Sequence, residues 1–309
     1  NEFLQALAEG GYQVGALAKL YFQKGIEIKN TGYRIPLNET KKYMAHHEVT
    51  LFEAAFQYEN LFIRADIIIK TGNTIDLVEV KSKSISNRDS STFTSKNGEP
   101  KKEWESYLLD VAFQKHVLMN ALPDYTINCY LMLADKEVEA SVNGLNQQFS
   151  IEKDRGGRIQ VKYTGDRNNP NIGRPILAKI DVDDIVNDIL IKPETGKPSE
   201  LYFENLITLF SDSYRKNIKI DPILGTKCIK CEFKSDGQNS GFKECWKQAA
   251  NFTEEDFQRP LTLDLWGAYM QDRKDVLIKN GQYFLSDLKR DDIAPNEKPS
   301  LKPGLSHVD

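Results

Sequence analysis

Apolar and polar positions alternate with period two over three consecutive stretches, 49–57, 61–69 and 75–81. Each is rich in β-branched and aromatic residues and is bounded by turn residues, which predicts three antiparallel strands. A two-residue loop at Gly72-Asn73 suits a primed hairpin turn, since Gly accepts positive φ. That turn sets Thr71 opposite Thr74 and, counting back, Asp66 opposite Glu79. A turn at Glu59-Asn60 sets Tyr58 opposite Leu61 and Glu53 opposite Asp66. Three acids therefore line up across three strands, with Cβ atoms roughly 5 Å apart. Lys81 shares their face, because side chains alternate. Phe52, Ala54, Ala65, Ile67, Val78 and Val80 are expected on the opposite, core face.

The pattern elsewhere switches to helical spacing. Residues 1–22 read as an amphipathic helix, with Phe3, Leu4, Leu7, Val14, Leu17 and Leu20 on one side. Gly10, Gly11 and Gly15 mark a bend or a close backbone approach. A short helix over 40–47 would take Thr40 as its N-cap. Residues 84–100, rich in Ser, Asn and Gly, read as a mobile loop after the third strand, either a closing flap or a plain insert. The stretch 103–121 is a helix burying Trp104, Tyr107, Leu108, Val111, Val117 and Leu118, ended by Pro123. A strand over 125–133 completes a β-β-β-α-β unit. A hairpin of 148–152 with 158–163 follows, crossing at 154–157, then a loop over 165–175. Helices are expected over 182–191 and 198–210, and a mostly helical segment over 253–279 with Leu263, Leu265, Trp266 and Tyr269 in its core. The C-terminal tail, bearing Pro, Lys and Ser, reads as frayed or as a linker.

Composition narrows the frame. The 309 residues suffice for one large core or two modest ones, and a hydrophobic fraction of 40% is ordinary for a globular protein. No apolar run reaches the length of a membrane span and no secretory signal is visible, so the cytoplasm is the expected compartment. A net charge of −4 excludes a globally basic coat but leaves room for a local phosphate-binding patch. Candidate patches are Lys81, Lys83 and Arg88; Lys101 and Lys102; and Lys227, Lys230 and Lys234. Three segments are expected: 1–150 as the core, 151–250 as a hairpin and helical extension with the cysteines, and 251–309 as a C-terminal helical part.

Aligned like charges repel, so such a row implies a cation between them. Carboxylate oxygens are the ligands that Mg²⁺ and Mn²⁺ prefer. Such a metal acidifies bound water and neutralises transition-state charge, and an adjacent lysine orients the water. The chemistry served is phosphodiester hydrolysis. The plainer reading is a solvated face with chance acids.

Asp66 followed after a hairpin by Glu79-Val80-Lys81 resembles the PD-(D/E)xK nuclease signature. The stretches 52–56, 64–66 and 77–82 are similar to its RecB-like branch, and to a bacterial group of uncharacterised proteins related to the CRISPR-associated iron–sulfur exonucleases. The resemblance implies an α/β fold with a restriction-endonuclease-like core: a central mixed sheet flanked by helices, plus a mostly helical C-terminal part. It implies Glu53, Asp66 and Glu79 as metal ligands, and Asp66, Glu79, Lys81 and Gln114 as catalytic residues acting on DNA. Gln114 occupies the helical Gln position of the branch, although Leu118 stands where Tyr follows in Gln-x-x-x-Tyr, and Ala65 where the Pro would precede Asp66. Some RecB-like nucleases use an upstream His, for which His46 and His47 are candidates against an ordinary surface role. His116 lies about 200° around the helix from Gln114 and is not expected in the site.

Cys228-Ile-Lys-Cys231 and Cys245 form a second motif suited to a soft metal such as Zn²⁺ or an iron–sulfur cluster, the alternative being reduced structural thiols. In the resembled nucleases a cysteine near the N-terminus completes a 4Fe–4S site. The chain begins at Asn1 without Met, so a further cysteine upstream is the expected fourth ligand; Cys129, on an inner strand, is expected to be a buried small hydrophobe. Against a nuclease stand two other classes: a catalytically inactive nucleic-acid-binding or assembly module of the same fold, and a cysteine-based metal protein with an incidental acidic face.

Overall fold

A computed structural model describes residues 2–86, 88–153, 159–191, 202–237, 239–266 and 271–293. The chain divides into two compact units, Asn1–Asp212 and Ser213–Asp309. Among the described residues no helix is long and apolar enough to cross a membrane.

The first unit is α/β, built on a six-stranded mixed sheet. Its strands are β1 (Ile26–Glu27), β2 (Glu48–Tyr58), β3 (Leu61–Thr71), β4 (Thr74–Ile85), β5 (Thr126–Asp135) and β8 (Leu177–Asp181), in the order β1-β2-β3-β4-β5-β8. β2, β3 and β4 form the antiparallel meander, β5 runs parallel to β4, and β8 closes the far edge antiparallel to β5. The parallel β4–β5 step needs a crossover, which α3 (Lys102–Ala121) provides. β6 (Phe149–Lys153) and β7 (Ile159–Tyr163) pair separately, and the crossing expected over 154–157 lies outside the described residues.

Each sheet face carries its own core. Leu51, Ile68, Leu77 and Leu131 pack with Met44 of α2 (Arg34–Met44), with Trp104, Leu108 and Leu118 of α3, with Val186 of α4 (Asp183–Ile191), and with Phe203 at the start of α5 (Phe203–Lys216). On the other face Phe52, Ile67, Val78 and Met132 pack with Leu17, Ala18 and Leu20 of α1 (Glu2–Leu20) and with Phe149 and Tyr163 of the hairpin. Gly10, Gly11 and Gly15 meet no neighbour within 4 Å, so no backbone approaches α1 there.

Both hairpins are as tight as the turn residues demand: Tyr58 pairs with Leu61, Thr71 with Thr74, and Gly72 takes φ 58°. The register count carries through to Phe52↔Ile67 and Ile67↔Val78. The expected core face is not continuous, however. Glu53 adopts φ 55°, the left-handed region, and drops out of the β2–β3 ladder between Phe52↔Ile67 and Ala54↔Ala65. On either side of that break the strands present opposite faces. Phe52, Ile67 and Val78 join the α1 core, whereas Ala54 and Ala65 join the α3 core. A one-residue irregularity reverses side-chain parity, which alternation alone does not reveal.

Other elements differ from the pattern-based expectation. Thr40 is not an N-cap: it is buried inside α2, where its Oγ1 accepts the Ala55 amide at 2.9 Å. β4 continues to Ile85, and the following segment is pinned by the fully buried Phe93, whose ring meets Trp104 edge-on at 5.0 Å. β1 and β8 were not expected; both are short.

In the second unit, α6 (Gly241–Ala250) carries Cys245 and Trp246, and Phe242, Trp246, Phe252, Leu261, Leu263 and Ile278 form a separate core. The mostly helical segment expected over 253–279 holds, among its described residues, single turns at Asp256–Gln258 and Thr262–Asp264 and α7 (Gln271–Lys279). Pro260 breaks the run. Trp266 is 79% exposed rather than core, and Tyr269 lies outside the described residues.

Candidate active site

The β3–β4 ladder ends at Ile67↔Val78, one step short of Asp66 and Glu79. Beyond it the strands part, and the Val80 amide donates to Asp66 Oδ2 at 2.8 Å instead of to a strand carbonyl. On its other side β4 is irregular against β5 between Val80 and Ser84. Lys81 therefore sits where, among the described residues, β4 has no ladder partner on either side, and its side chain turns toward α3.

There it enters a closed ring of four side chains. Lys81 Nζ lies 2.6 Å from Glu79 Oε1 and 2.8 Å from Asp110 Oδ2. Gln114 Nε2 donates to Glu79 Oε2 at 2.7 Å and to Asp110 Oδ1 at 3.4 Å. Asp110 and Gln114 are one turn apart on α3 and so present the same face. Lys81 also lies 5.6 Å over the Tyr107 ring. Gln114 Oε1 is buried and has no hydrogen-bond partner among the described residues.

The electrostatics are those of crowded, partly desolvated acids. Burial raises the Asp66 pKa to about 6; the Val80 amide opposes the shift and Glu53 adds to it. Burial also lifts Glu79 to about 7, with Asp66 and Asp110 adding and Lys81 opposing. Lys81 is pulled down by burial, but Glu79 and Asp110 outweigh that and hold it above the ordinary lysine range. It is thus an ammonium at neutral pH.

Glu53 is drawn the other way. Lys19 Nζ from α1 lies 3.0 Å from Glu53 Oε1 and 2.7 Å from Glu27 Oε1, and Arg64 Nε lies 3.9 Å from Glu53 Oε2. Arg64 also donates to the Ile28 and Asn30 carbonyls, tying down the chain after β1. Glu53 still acts on Asp66 through space. Among the described residues no group of three or more His, Cys, Asp or Glu side chains stands at metal-holding spacing.

The structure thus brings Glu79, Lys81 and Gln114 into direct contact, places Asp66 beside them, and sets Glu53 on the α1 side. His46 and His47 are exposed at the α2–β2 junction and contribute carbonyls to Lys70. His116 faces Tyr58. Arg88 pairs with Asp135 at 2.6 Å, and Lys83 lies 4.0 Å over the Trp104 ring. Sequence reasoning missed Asp110 and Lys19. Asp110 had a signal, its four-residue spacing from Gln114; Lys19 had none, because its partners are remote in sequence.

The cysteines form a second centre, entirely in the other unit. Cys228 and Cys231 pack on the aromatic core around Trp246, and Cys228 is raised by burial first and then by the nearby Cys231 and Cys245 thiols. Trp246 Nε1 is buried without a partner at hydrogen-bonding geometry. Cys129 is buried in β5, and burial pushes its thiol well above the ordinary value.

No family model, curated protein or solved structure matches this chain.

Proposed function

We propose that the first unit is a restriction-endonuclease-like, PD-(D/E)xK nuclease of the RecB-like kind that hydrolyses DNA phosphodiester bonds with Mg²⁺ or Mn²⁺. The observation that carries this reading is the joining of Glu79, Lys81 and Gln114 in one ring beside Asp66, at the point where β3 and β4 separate.

The residues fit a divalent cation. Two acids held at raised pKa values of about 6 and about 7 are short of positive charge, which is what a cation would supply. The unpartnered Gln114 Oε1 offers an acceptor for a water in the same place. Asp66 and Glu79 would hold the ion. A cation there supplies an acidified water and charge neutralisation at the phosphate. The protein's own groups do the rest. Lys81, always charged, orients the attacking water and stabilises developing negative charge. Gln114 fixes the Glu79 carboxylate by its Oε2 contact. Tyr107 limits where the Lys81 ammonium can lie.

Cys228, Cys231 and Cys245 would hold an iron–sulfur cluster or Zn²⁺ in the second unit. The buried Trp246 N–H lies near enough to Cys228 to favour its thiolate, and a metal-bound thiolate accepts hydrogen bonds better than a thiol.

The test is cleavage of end-labelled DNA by the purified full chain in Mg²⁺ or Mn²⁺. The wild type should cleave, and Asp66→Ala, Glu79→Ala and Lys81→Ala should not, while circular dichroism shows an intact fold. Wild-type cleavage by Glu79→Ala sinks the assignment. DNA binding without turnover by the wild type would make the chain the inactive binding module instead.

A further inference from the structure

Glu79 is shared as it stands: Oε1 lies 2.6 Å from the Lys81 ammonium, which competes with a cation for that oxygen, and Oε2 accepts from Gln114 at 2.7 Å. The two groups that occupy it share a second anchor. Asp110 Oδ2 lies 2.8 Å from the same ammonium and Oδ1 lies 3.4 Å from the same amide nitrogen. Asp110 therefore duplicates the Glu79 contacts from α3, and its side chain is 42% exposed where that of Glu79 is 8% exposed.

Resting on the nuclease reading above, we propose that Asp110 is a positioning residue that takes over Lys81 when Glu79 turns to the cation. On loading, the ring opens at the contact between Glu79 and Lys81. Asp110 keeps the ammonium within the site after that exchange, instead of letting it swing to solvent or remain as a competitor for Glu79. Without Asp110, Lys81 has only Glu79 as its close ionic partner among the described residues, and the metal must break that pair unaided. Direct attraction of a cation by the Asp110 charge is a different role, and the two separate by their dependence on Lys81.

The probe is Mn²⁺ alone, titrated calorimetrically into the full chain, with DNA hydrolysis as the second readout. Asp110→Asn is isosteric and partly exposed, so the fold is retained. It should weaken Mn²⁺ binding about tenfold and lower kcat with KM for DNA unchanged, the size typical of a partner that orients a metal ligand. Asp110→Glu should recover most of both losses. In a Lys81→Met background, where nothing is left to hand over, Asp110→Asn should no longer change Mn²⁺ affinity. An equal loss in both backgrounds overturns the hand-over, since it reports plain attraction. Unchanged affinity and kcat in Asp110→Asn, beside an active wild type, overturns it while leaving the nuclease reading intact. A wild type that binds no Mn²⁺ and cleaves nothing removes both.

Discussion

Asp66 Oδ2 accepts the Val80 amide at 2.8 Å, so an acid side chain stands in for the strand carbonyl that the parted β3 and β4 no longer offer. One oxygen of Asp66 is therefore structural. Asp66→Asn can keep an acceptor there, whereas Asp66→Ala leaves a half-buried N–H unpaired. Urea denaturation should find Asp66→Ala less stable than Asp66→Asn by about 1–3 kcal/mol, the cost of an unsatisfied buried donor. Equal midpoints and equal slopes would show that water replaces the carboxylate.

Stability should fall as pH rises toward neutrality in metal-free buffer. The folded pKa values of Asp66 and Glu79, about 6 and about 7, stand above the ordinary values of 3.8 and 4.5. The folded state binds these protons more tightly than the unfolded chain, so their stabilising effect is full below about pH 4 and is lost as pH passes through 6 and 7. Thermal melts in chelator from pH 5 to 8 should show this decline, and Glu79→Gln should flatten its upper part. Added Mn²⁺ should raise the melting temperature most above pH 7, where both acids are ionised and a cation bound only by the folded state stabilises it. A Mn²⁺ gain larger at pH 5 than at pH 8 would contradict the carboxylate site.

Glu53 holds a left-handed conformation that costs a non-glycine residue about 1–2 kcal/mol. Its ion pairs with Lys19 and Arg64 offset part of that cost. Glu53→Val removes the pairs and keeps the strain, while Glu53→Gly removes both. Glu53→Gly should therefore be the more stable of the two by about 1 kcal/mol or more in chemical denaturation. The reverse order would mean that residue 53 returns to extended backbone once its carboxylate is gone.

The cysteine centre has a direct readout. Full-length protein purified anaerobically should show visible absorption if an iron–sulfur cluster is bound, or stoichiometric zinc by elemental analysis otherwise. Cys228→Ser, Cys231→Ser and Cys245→Ser should each reduce that content. Metal content unchanged in all three would assign the thiols to packing.

Much of the first unit was legible because its signals are local. Gly72-Asn73 and Glu59-Asn60 fixed two turns, and with them the count that aligns Glu53, Asp66 and Glu79. Residues 103–121 carried a helical stripe strong enough to place Gln114. The missed features are those in which tertiary structure overrides pattern. Thr40 looks like a cap because its hydroxyl wants a backbone partner; it finds one on β2, at Ala55, instead of in its own helix. β1, at two residues, leaves too little alternation to detect, and β8, as long as β6 and β7, pairs with β5 far from it in sequence and so has no hairpin partner beside it to reveal it. The parity break at Glu53 was invisible because a glutamate gives no sign of positive φ. Lys19 and Asp110 lie far from their ionic partners in sequence, and only folding brings them together.

The reversal of faces at Glu53 sets the candidate site between the two cores. Phe52 packs in the α1 core and Ala54, two residues on, in the α3 core, so both layers grip β2 within three residues. Whatever shifts one layer against the other is felt as a change in spacing among Glu53, Asp66 and Glu79, so the site is also the sheet's strain gauge.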